Sequence, residues 1–331
     1  MGCRFLSIIG TRPQYIKVLD NLPNHVVVDT RQHYDENMSD IFIKQLKIRP
    51  KYNLNCKELG DMIKKCSEVI GRENPDIVIV YGDTRSTLAG ALSAKFANKT
   101  LVHVESGMRS RDISQPEELV RIIVDRISDY RFCTNEFARQ NLINESIREN
   151  VHVVGDVMWD ALSKVLPIKK TQDYEKFNLL TLHRAVNTEN ESGIRNIFQA
   201  IEESEERFIF PIHPRTKKLI RKFKISIPKN IELLPPQGYK EMVSLETNAK
   251  KIVTDSGGVS REAYWFMKPL IILRNETEWM EIVADGWGIL VGTNKALIVK
   301  ALKDHNPHPL KNKPNYIPQF GAKERIKDIL L

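Results

Sequence analysis

No stretch of the 331-residue sequence approaches the roughly 18 consecutive apolar residues that a membrane span needs. The N-terminus has no basic region leading into a long apolar run. A soluble, unexported, cytoplasmic protein is therefore expected. Cysteine is scarce: Cys3, Cys56, Cys66 and Cys133 stand at scattered spacings, without a Cys-x-x-Cys or Cys/His pairing that would suit zinc. They read as reduced, mostly buried thiols, and no metal site is expected. The Gly-x-Gly-x-x-Gly fingerprint of dinucleotide binding is missing throughout, which argues against a built-in nicotinamide cofactor. The absence of low-complexity segments and short repeats excludes a solenoid. No zinc finger or aromatic-rich ribonucleoprotein motif speaks for nucleic acid.

Hydrophobic residues make up 41% and charged residues 28%, as in ordinary globular proteins. The length is comfortable for two domains. A net charge of +8 suits nucleic acid, a membrane surface or an anionic small molecule, and its distribution helps to choose. The densest basic stretch, 217–229, carries Leu219, Ile220 and Phe223 at helical spacing, so its lysines are expected to cover the solvated face of an amphipathic helix. Nucleic acid is then a weak option.

Short β-branched runs alternate with longer helical patterns, the sequence form of a parallel sheet flanked by helices. Strands are expected at 4–9, 25–29, 76–81, 101–104, 130–133 and 151–154. After a pause around Pro167 they resume at 179–182, 208–211, 231–234, 251–254, 270–273 and 288–291. The expected organisation is an N-terminal domain at 1–165, a second at 166–315, and a C-terminal segment, 316–331, returning to the first. In open α/β sheets ligands bind beyond the carboxyl ends of the strands, so two such domains facing each other would form a cleft between those ends.

The strand ends carry Gly10-Thr-Arg-Pro-Gln-Tyr-Ile-Lys17, Tyr81-Gly-Asp-Thr84, Glu105-Ser-Gly107, Leu182-His-Arg184, Ile212-His-Pro-Arg215 and Asp255-Ser-Gly-Gly258. Arg12 and Lys17 make the first loop basic, with Pro13 suited to a first helical turn. Ser256, Gly257 and Gly258 stand where unpaired N–H groups and a helix dipole would hold a diphosphate, or where Ser256 simply caps a strand-to-helix turn. His183 and His213 are candidate donors to phosphate or base. Asp83, Glu105 and Glu117 do not suit an anion's binding site and point instead to acid–base work. As structural alternatives, Glu117 could favour a helix start and Asp83 a turn.

Taken together, Gly10-Thr-Arg-Pro-Gln14, Gly82-Asp-Thr84, His103-Val-Glu-Ser-Gly107, Pro116-Glu-Glu118, His183-Arg184 and Asp255-Ser-Gly-Gly258 resemble the non-hydrolysing UDP-N-acetylglucosamine 2-epimerases, in order and across almost the whole chain. The resemblance implies two Rossmann-like doubly wound domains of the GT-B type facing a cleft. It also implies a UDP-sugar between them, a homodimer, and no metal or nicotinamide. Position by position, it places acid–base carboxylates at Asp83, Glu105 and Glu117, with His183 beside the diphosphate. Arg12 and Lys17 match nucleotide-site and active-site cations. His213, Ser256, Gly257, Gly258 and Glu262 match UDP-binding positions, with Glu262 on the ribose. Arg274 and Glu278 fall in a segment resembling the family's cleft segment, and Arg184 is counted among the substrate-binding positions.

Some positions depart from the pattern. Val120 stands where the family usually has Asn, and Ala185-Val186-Asn187 lacks the usual Glu. Gln32-His33 starts like the bacterial allosteric segment, but Tyr34 to Met38 do not continue it. Several motifs are also similar to those of the branch acting on UDP-2,3-diacetamido-2,3-dideoxyglucuronate. The extra carboxylate of that sugar would want a further cation, for which Arg184, Lys268 or Arg274 could serve. A glycosyltransferase of the same fold, a hydrolysing epimerase and a non-catalytic UDP-sugar sensor are the other readings.

The C2 proton of a glycosyl nucleotide is not next to a carbonyl, so simple deprotonation is too uphill. Transient oxidation would need NAD. The alternative is anti-elimination of UDP to a 2-acetamidoglucal, followed by protonation from the opposite face and re-addition of UDP. Cations and helix N–H groups would stabilise the leaving diphosphate, and carboxylates the charge developing near C1. Work on two faces calls for more than one acid–base group.

Overall fold

The computed structural model describes residues 2–32, 48–163, 165–166, 175–308 and 319–331. Contacts divide the chain into two units, Met1–Leu166 with Pro318–Leu331, and Pro167–Ile317.

The first unit is a parallel sheet with strands β1 (Phe5–Ile9), β2 (His25–Asp29), β3 (Tyr52–Asn53), β4 (Ile77–Tyr81), β5 (Thr100–Ser106), β6 (Tyr130–Cys133) and β7 (Val151–Val153). Their order across the sheet is β3-β2-β1-β4-β5-β6-β7. Helices α1 (Arg12–Lys17), α2 (Leu59–Glu73), α3 (Arg85–Phe96), α4 (Pro116–Ile127), α5 (Glu136–Asn144), α6 (Val157–Ser163) and α14 (Ala322–Leu330) flank it. Successive strand residues alternate between the two faces. Leu6, Ile8, Val78 and Val80 pack with Val69, Ala91 and Val124 on one side. Phe5, Ile9, Ile79 and Tyr81 pack with Tyr15, Leu19 and Ile326 on the other. Both faces are covered, which is why most strand positions are apolar, with Ser7, His103 and Arg131 as buried polar exceptions.

The small residues of α3 let it press on the two central strands. A Cβ added at Gly90 would stand 2.8 Å from Ile8 Cδ1 and 2.9 Å from Val80 Cγ1. The last helix, α14, is tied to this unit by Asp160, whose carboxylate accepts from Gly321 N and Lys323 N at 2.7 Å each.

The second unit repeats the plan with β8 (Asn178–Thr181), β9 (Phe208–Pro211), β10 (Ile231–Leu234), β11 (Ile252–Thr254), β12 (Leu270–Ile272) and β13 (Gly288–Leu290). The order is β10-β9-β8-β11-β12-β13, all parallel. Helices α7 (Ala185–Thr188), α8 (Glu191–Ser204), α9 (Pro214–Lys222), α10 (Tyr239–Asn248), α11 (Gly257–Trp265), α12 (Met280–Ala284) and α13 (Lys295–Asp304) complete it. Ile194, Ile197, Phe198 and Ile201 of α8 meet Leu180, Phe208, Phe210 and Val253 in its core. The first part of the basic stretch forms α9, with Ile220 buried, Phe223 against the core and Lys217, Lys218 and Lys222 in solvent, while Lys224 and Lys229 follow the end of the helix at Lys222.

Each expected strand is present. Only β3 was not expected: it is two residues long, half-exposed, and held through its register with β2 rather than by any apolar pattern of its own. All four cysteines are free, and Cys56, Cys66 and Cys133 are buried. Burial pushes the Cys66 thiol up to about 12. Among the described residues no helix is long and apolar enough to cross a membrane.

Candidate active site

In both sheets the strand order reverses between two neighbours, β1 and β4 in the first, β8 and β11 in the second. Helices leave such a pair on opposite faces, so the loops at their carboxyl ends part and open a crevice. Those loops carry Gly10-Thr-Arg-Pro and Gly82-Asp in the first unit, and His183-Arg184 and Asp255-Ser-Gly-Gly in the second.

Gln14 ties the first pair together. Its Oε1 accepts from Gly10 N at 2.9 Å, while its Nε2 donates to Tyr81 O at 2.8 Å and to Thr84 Oγ1 at 3.0 Å. Arg12 opens α1, and its side chain lies outside the described residues. Lys17, in the last turn of α1, pairs with Glu105 at 2.6 Å, with only 8% and 11% of the two side chains exposed. Glu105 has φ 71°, a left-handed conformation costly for a residue with a Cβ, at a bulge between Val104 and Ser106. That conformation takes the carboxylate out of the alternation of β5. A Cβ placed on Gly82 would lie 3.5 Å from Lys17 Nζ and 3.9 Å from Glu105 Oε1, so the ion pair sits directly over the turn that bears Asp83.

Asp83 is held by Arg121, whose other nitrogen donates to Glu118 at 2.9 Å. Glu118 also accepts from Ser110 N and Arg111 N at 2.9 Å each, fastening the loop before α4. Burial alone pushes the Glu118 carboxyl up, but these N–H groups and Arg121 outweigh it and hold the carboxyl below its usual range. Glu117 is half-buried on the first turn of α4 and makes no hydrogen bond or ion pair among the described residues. Val120, where the family pattern has Asn, packs into the core instead.

In the second unit Asp255 is fully buried and accepts from His183 N at 3.1 Å, Arg184 N at 2.9 Å and Asn187 Nδ2 at 3.2 Å. It also faces His183 Nδ1 at 3.1 Å, which leaves the Nε2 end of a ring 42% exposed to meet a ligand. Burial raises the Asp255 carboxyl, and the His183 ring with the loop N–H groups more than reverses this. His213 caps α9, its Nδ1 accepting from Arg215 N at 3.2 Å, so its hydrogen is on Nε2. The two imidazole centres are 6.4 Å apart.

Ser256 caps α11, and Gly257 and Gly258 supply the first N–H groups of that helix. The capping reading of Ser256 holds, its side chain accepting from Val259 N, and the amides of Gly257 and Gly258 stand at the helix start. Glu278 comes so close to Gly257 that an added Cβ would stand 2.5 Å from its Oε1. Arg274 pairs with Glu278 at 2.7 Å. Glu262 is buried within α11, where the Arg261 guanidinium stacks 4.0 Å from the Trp279 ring centre.

The first unit therefore brings together Lys17, Asp83 and Glu105 and places Glu117 on the helix that holds Asp83. The second collects His183, Arg184, His213, Ser256, Gly257, Gly258, Arg274 and Glu278. Gln14, Arg121, Glu118 and Asp255 carry the framework; Gln14, Glu118 and Asp255 stood within the quoted motifs, but none of the four was given a role from the sequence. The Glu118–Arg121 spacing of three residues was a visible sign of a helical ion pair, but its reach to Asp83 was not. The segment starting at His33 lies outside the described residues. No group of three or more His, Cys, Asp or Glu side chains among the described residues is placed to hold a metal ion.

Two doubly wound units, one presenting carboxylates and the other a helix N-terminus with two histidines, make this a GT-B-type α/β protein. The family model for UDP-N-acetylglucosamine 2-epimerase matches residues 18–331, and the chain belongs to that family of isomerases. A UDP-N-acetylglucosamine 2-epimerase homolog of Methanococcus maripaludis is 44% identical, over 92% of this chain and 93% of its own. The UDP-2,3-diacetamido-2,3-dideoxy-D-glucuronate 2-epimerase of Pseudomonas aeruginosa is 37% identical, over 91% of each. The crystal structure of Methanocaldococcus jannaschii UDP-GlcNAc 2-epimerase in complex with UDP-GlcNAc and UDP superposes with a TM-score of 0.89 at 39% identity, covering 99% of both chains.

Proposed function

We propose that the protein interconverts UDP-N-acetylglucosamine and UDP-N-acetylmannosamine by eliminating and re-adding UDP. The observation that carries this reading is the division of labour between the two reversal points, carboxylates at one and anion-binding groups at the other. A base takes the C2 proton while the C1–O bond breaks and its electrons leave with UDP. The resulting 2-acetamidoglucal is protonated at C2 from the opposite face, and UDP adds back at C1. Asp83, Glu105 and Glu117 supply the acid–base groups. Lys17 holds Glu105 in place, and Arg121 does the same for Asp83. His183, His213, Arg12, Arg184 and the Ser256-Gly257-Gly258 turn take the diphosphate and its developing charge. Glu262 serves the ribose, while Arg274 and Glu278 brace the turn at Gly257.

Turnover in heavy water should place deuterium at C2 of both epimers. Epimerisation without that label would rule out elimination.

The uncharged sugar is favoured over a uronate by the state of the cations. Lys268 faces Glu175 at 3.4 Å, and Arg274 faces Glu278 at 2.7 Å. Two of the three cations considered for an extra carboxylate are thus already offset. Turnover of the two UDP-sugars compared side by side tests this, and faster conversion of the diacetamidoglucuronate would overturn it. The same reading extends to a cytoplasmic homodimer making a sugar nucleotide for polysaccharide synthesis. Light scattering and cell fractionation test those points.

A further inference from the structure

The acid–base candidates of the first unit stand on three separate segments, and one buried cluster joins all three. Asp125 lies on α4, a little over two turns beyond Glu117, and is completely buried. Its Oδ1 is 2.7 Å from His103 Nδ1, and its Oδ2 accepts from Arg109 Nη1 at 2.7 Å and from Gly107 N at 3.1 Å. His103, also completely buried, places its other ring nitrogen 2.8 Å from the carbonyl oxygen of Gly82. Arg109 is anchored in turn by Glu145, through Nε and Nη2 at 2.7 Å each.

A carbonyl oxygen can only accept, so Nε2 of His103 donates to Gly82. Nδ1 faces a carboxylate and donates as well. The ring is then the cationic partner of Asp125, and the cluster balances two cations, His103 and Arg109, against two carboxylates, Asp125 and Glu145. Buried charges are tolerated on those terms. Burial raises the Asp125 carboxyl, but His103 and Arg109 outweigh it and hold it at about 2. None of these four side chains belongs to the acid–base set, yet their hydrogen bonds end on Gly82, next to Asp83, on Gly107, two residues past Glu105, and on the helix of Glu117.

We propose that Asp125 and His103 are positioning residues for the C2 proton transfers, setting the Gly82–Asp83 peptide and the Glu105–Gly107 turn relative to α4. This rests on the epimerase reading above. The link that matters most is the one from His103 Nε2 to Gly82, because it is the only one of these bonds that ends on the peptide of a candidate acid–base residue.

Two substitutions separate the links of the ring. His103→Asn puts an amide nitrogen near the place of Nδ1, keeping the bond to Asp125 and losing Gly82. His103→Gln reaches Gly82 and loses the Asp125 geometry. Displacing a reacting group by about 1 Å costs on the order of 100-fold in rate. His103→Asn is therefore expected to lower kcat roughly 10- to 100-fold, with KM for UDP-N-acetylglucosamine little changed, since the anion-binding groups are in the second unit. His103→Gln should recover most of kcat.

Hydrogen–deuterium exchange of the peptides containing Gly82–Asp83 and Gly107 is measured on the same proteins and should be faster in His103→Asn than in His103→Gln. Equal kcat in the two variants, or a loss confined to KM, overturns the proposal. Should His103→Asn not fold, His103→Gln against wild type decides: retention of at least about a third of kcat supports the Gly82 link, and a larger loss overturns it. Should wild-type protein fail to turn over the sugar, the epimerase reading falls. The exchange rates then decide the positioning claim alone, and unchanged rates sink it.

Discussion

Glu105 is the residue at which the cost of building this site should be measurable. Its φ of 71° is one that a Cβ makes unfavourable, by about 1–2 kcal/mol. Glu105→Ala and Glu105→Gly both delete the ion pair with Lys17, whose side chain is 8% exposed. That loss, roughly 3–5 kcal/mol for breaking a buried pair, is common to both variants and cancels in their comparison. What remains is the Cβ. Glycine relieves the strain of about 1–2 kcal/mol and gives back about 0.5–1 kcal/mol through the greater freedom of its unfolded chain. The glycine variant should thus be the more stable, by about 0.75 kcal/mol at the middle of these ranges and by at most about 1.5 kcal/mol. In an ordinary strand the order would reverse, because only the entropic cost of glycine would operate. Urea unfolding of the two variants, read at equal m-values, gives the sign directly. Neither variant should exchange the C2 proton of UDP-N-acetylglucosamine. An alanine variant as stable as the glycine variant, or more so, would refute the claim that strain is held at this carboxylate.

Gly257→Ala should weaken UDP binding at least tenfold by calorimetry, because the new Cβ would stand 2.5 Å from Glu278 Oε1 and force that carboxylate or the start of α11 to shift. Arg121→Met should destabilise the protein by about 3 kcal/mol, by leaving the buried Glu118 carboxylate without its cation. It should also lower kcat, and denaturant titration with steady-state kinetics reads both effects. Acid should destabilise in two windows. Burial lowers the His25 ring from 6.5 to about 4. Between those values the unfolded chain binds the extra proton, so stability falls by about 3 kcal/mol as pH drops through them, and His25→Gln should flatten that slope in pH-dependent unfolding. Asp125, held at about 2 against an ordinary 3.8, contributes stability that is full above the higher value and lost as pH falls towards the lower. Asp125→Asn should remove that second window from the same titration.

The alternation of strands and helices was legible because buried parallel strands are largely apolar on both faces, as the run at Ile77–Tyr81 is. Candidate residues at strand ends stood out for a related reason, since a charged side chain following such a run has few structural uses. The framework was less so. Asp255 reads as a turn residue until its carboxylate is seen gathering the amides of His183 and Arg184, more than 70 residues earlier in the chain. His103 stood within the His103-Val-Glu-Ser-Gly107 motif without a role of its own, and Asp125 carried no signal in the sequence.

By itself the sequence determined the class of fold, through local periodicity, and the family, through its motifs and their order along the chain. Which strands lie side by side, and so which loops share a crevice, was decided only in the tertiary structure, through sheet order. The same holds for the partner of each charge: Lys17 with Glu105, Arg121 with Asp83, Arg274 with Glu278. A carboxylate's work is set by the cation and the amides it meets on burial, and those come from distant parts of the chain whose approach no local pattern records.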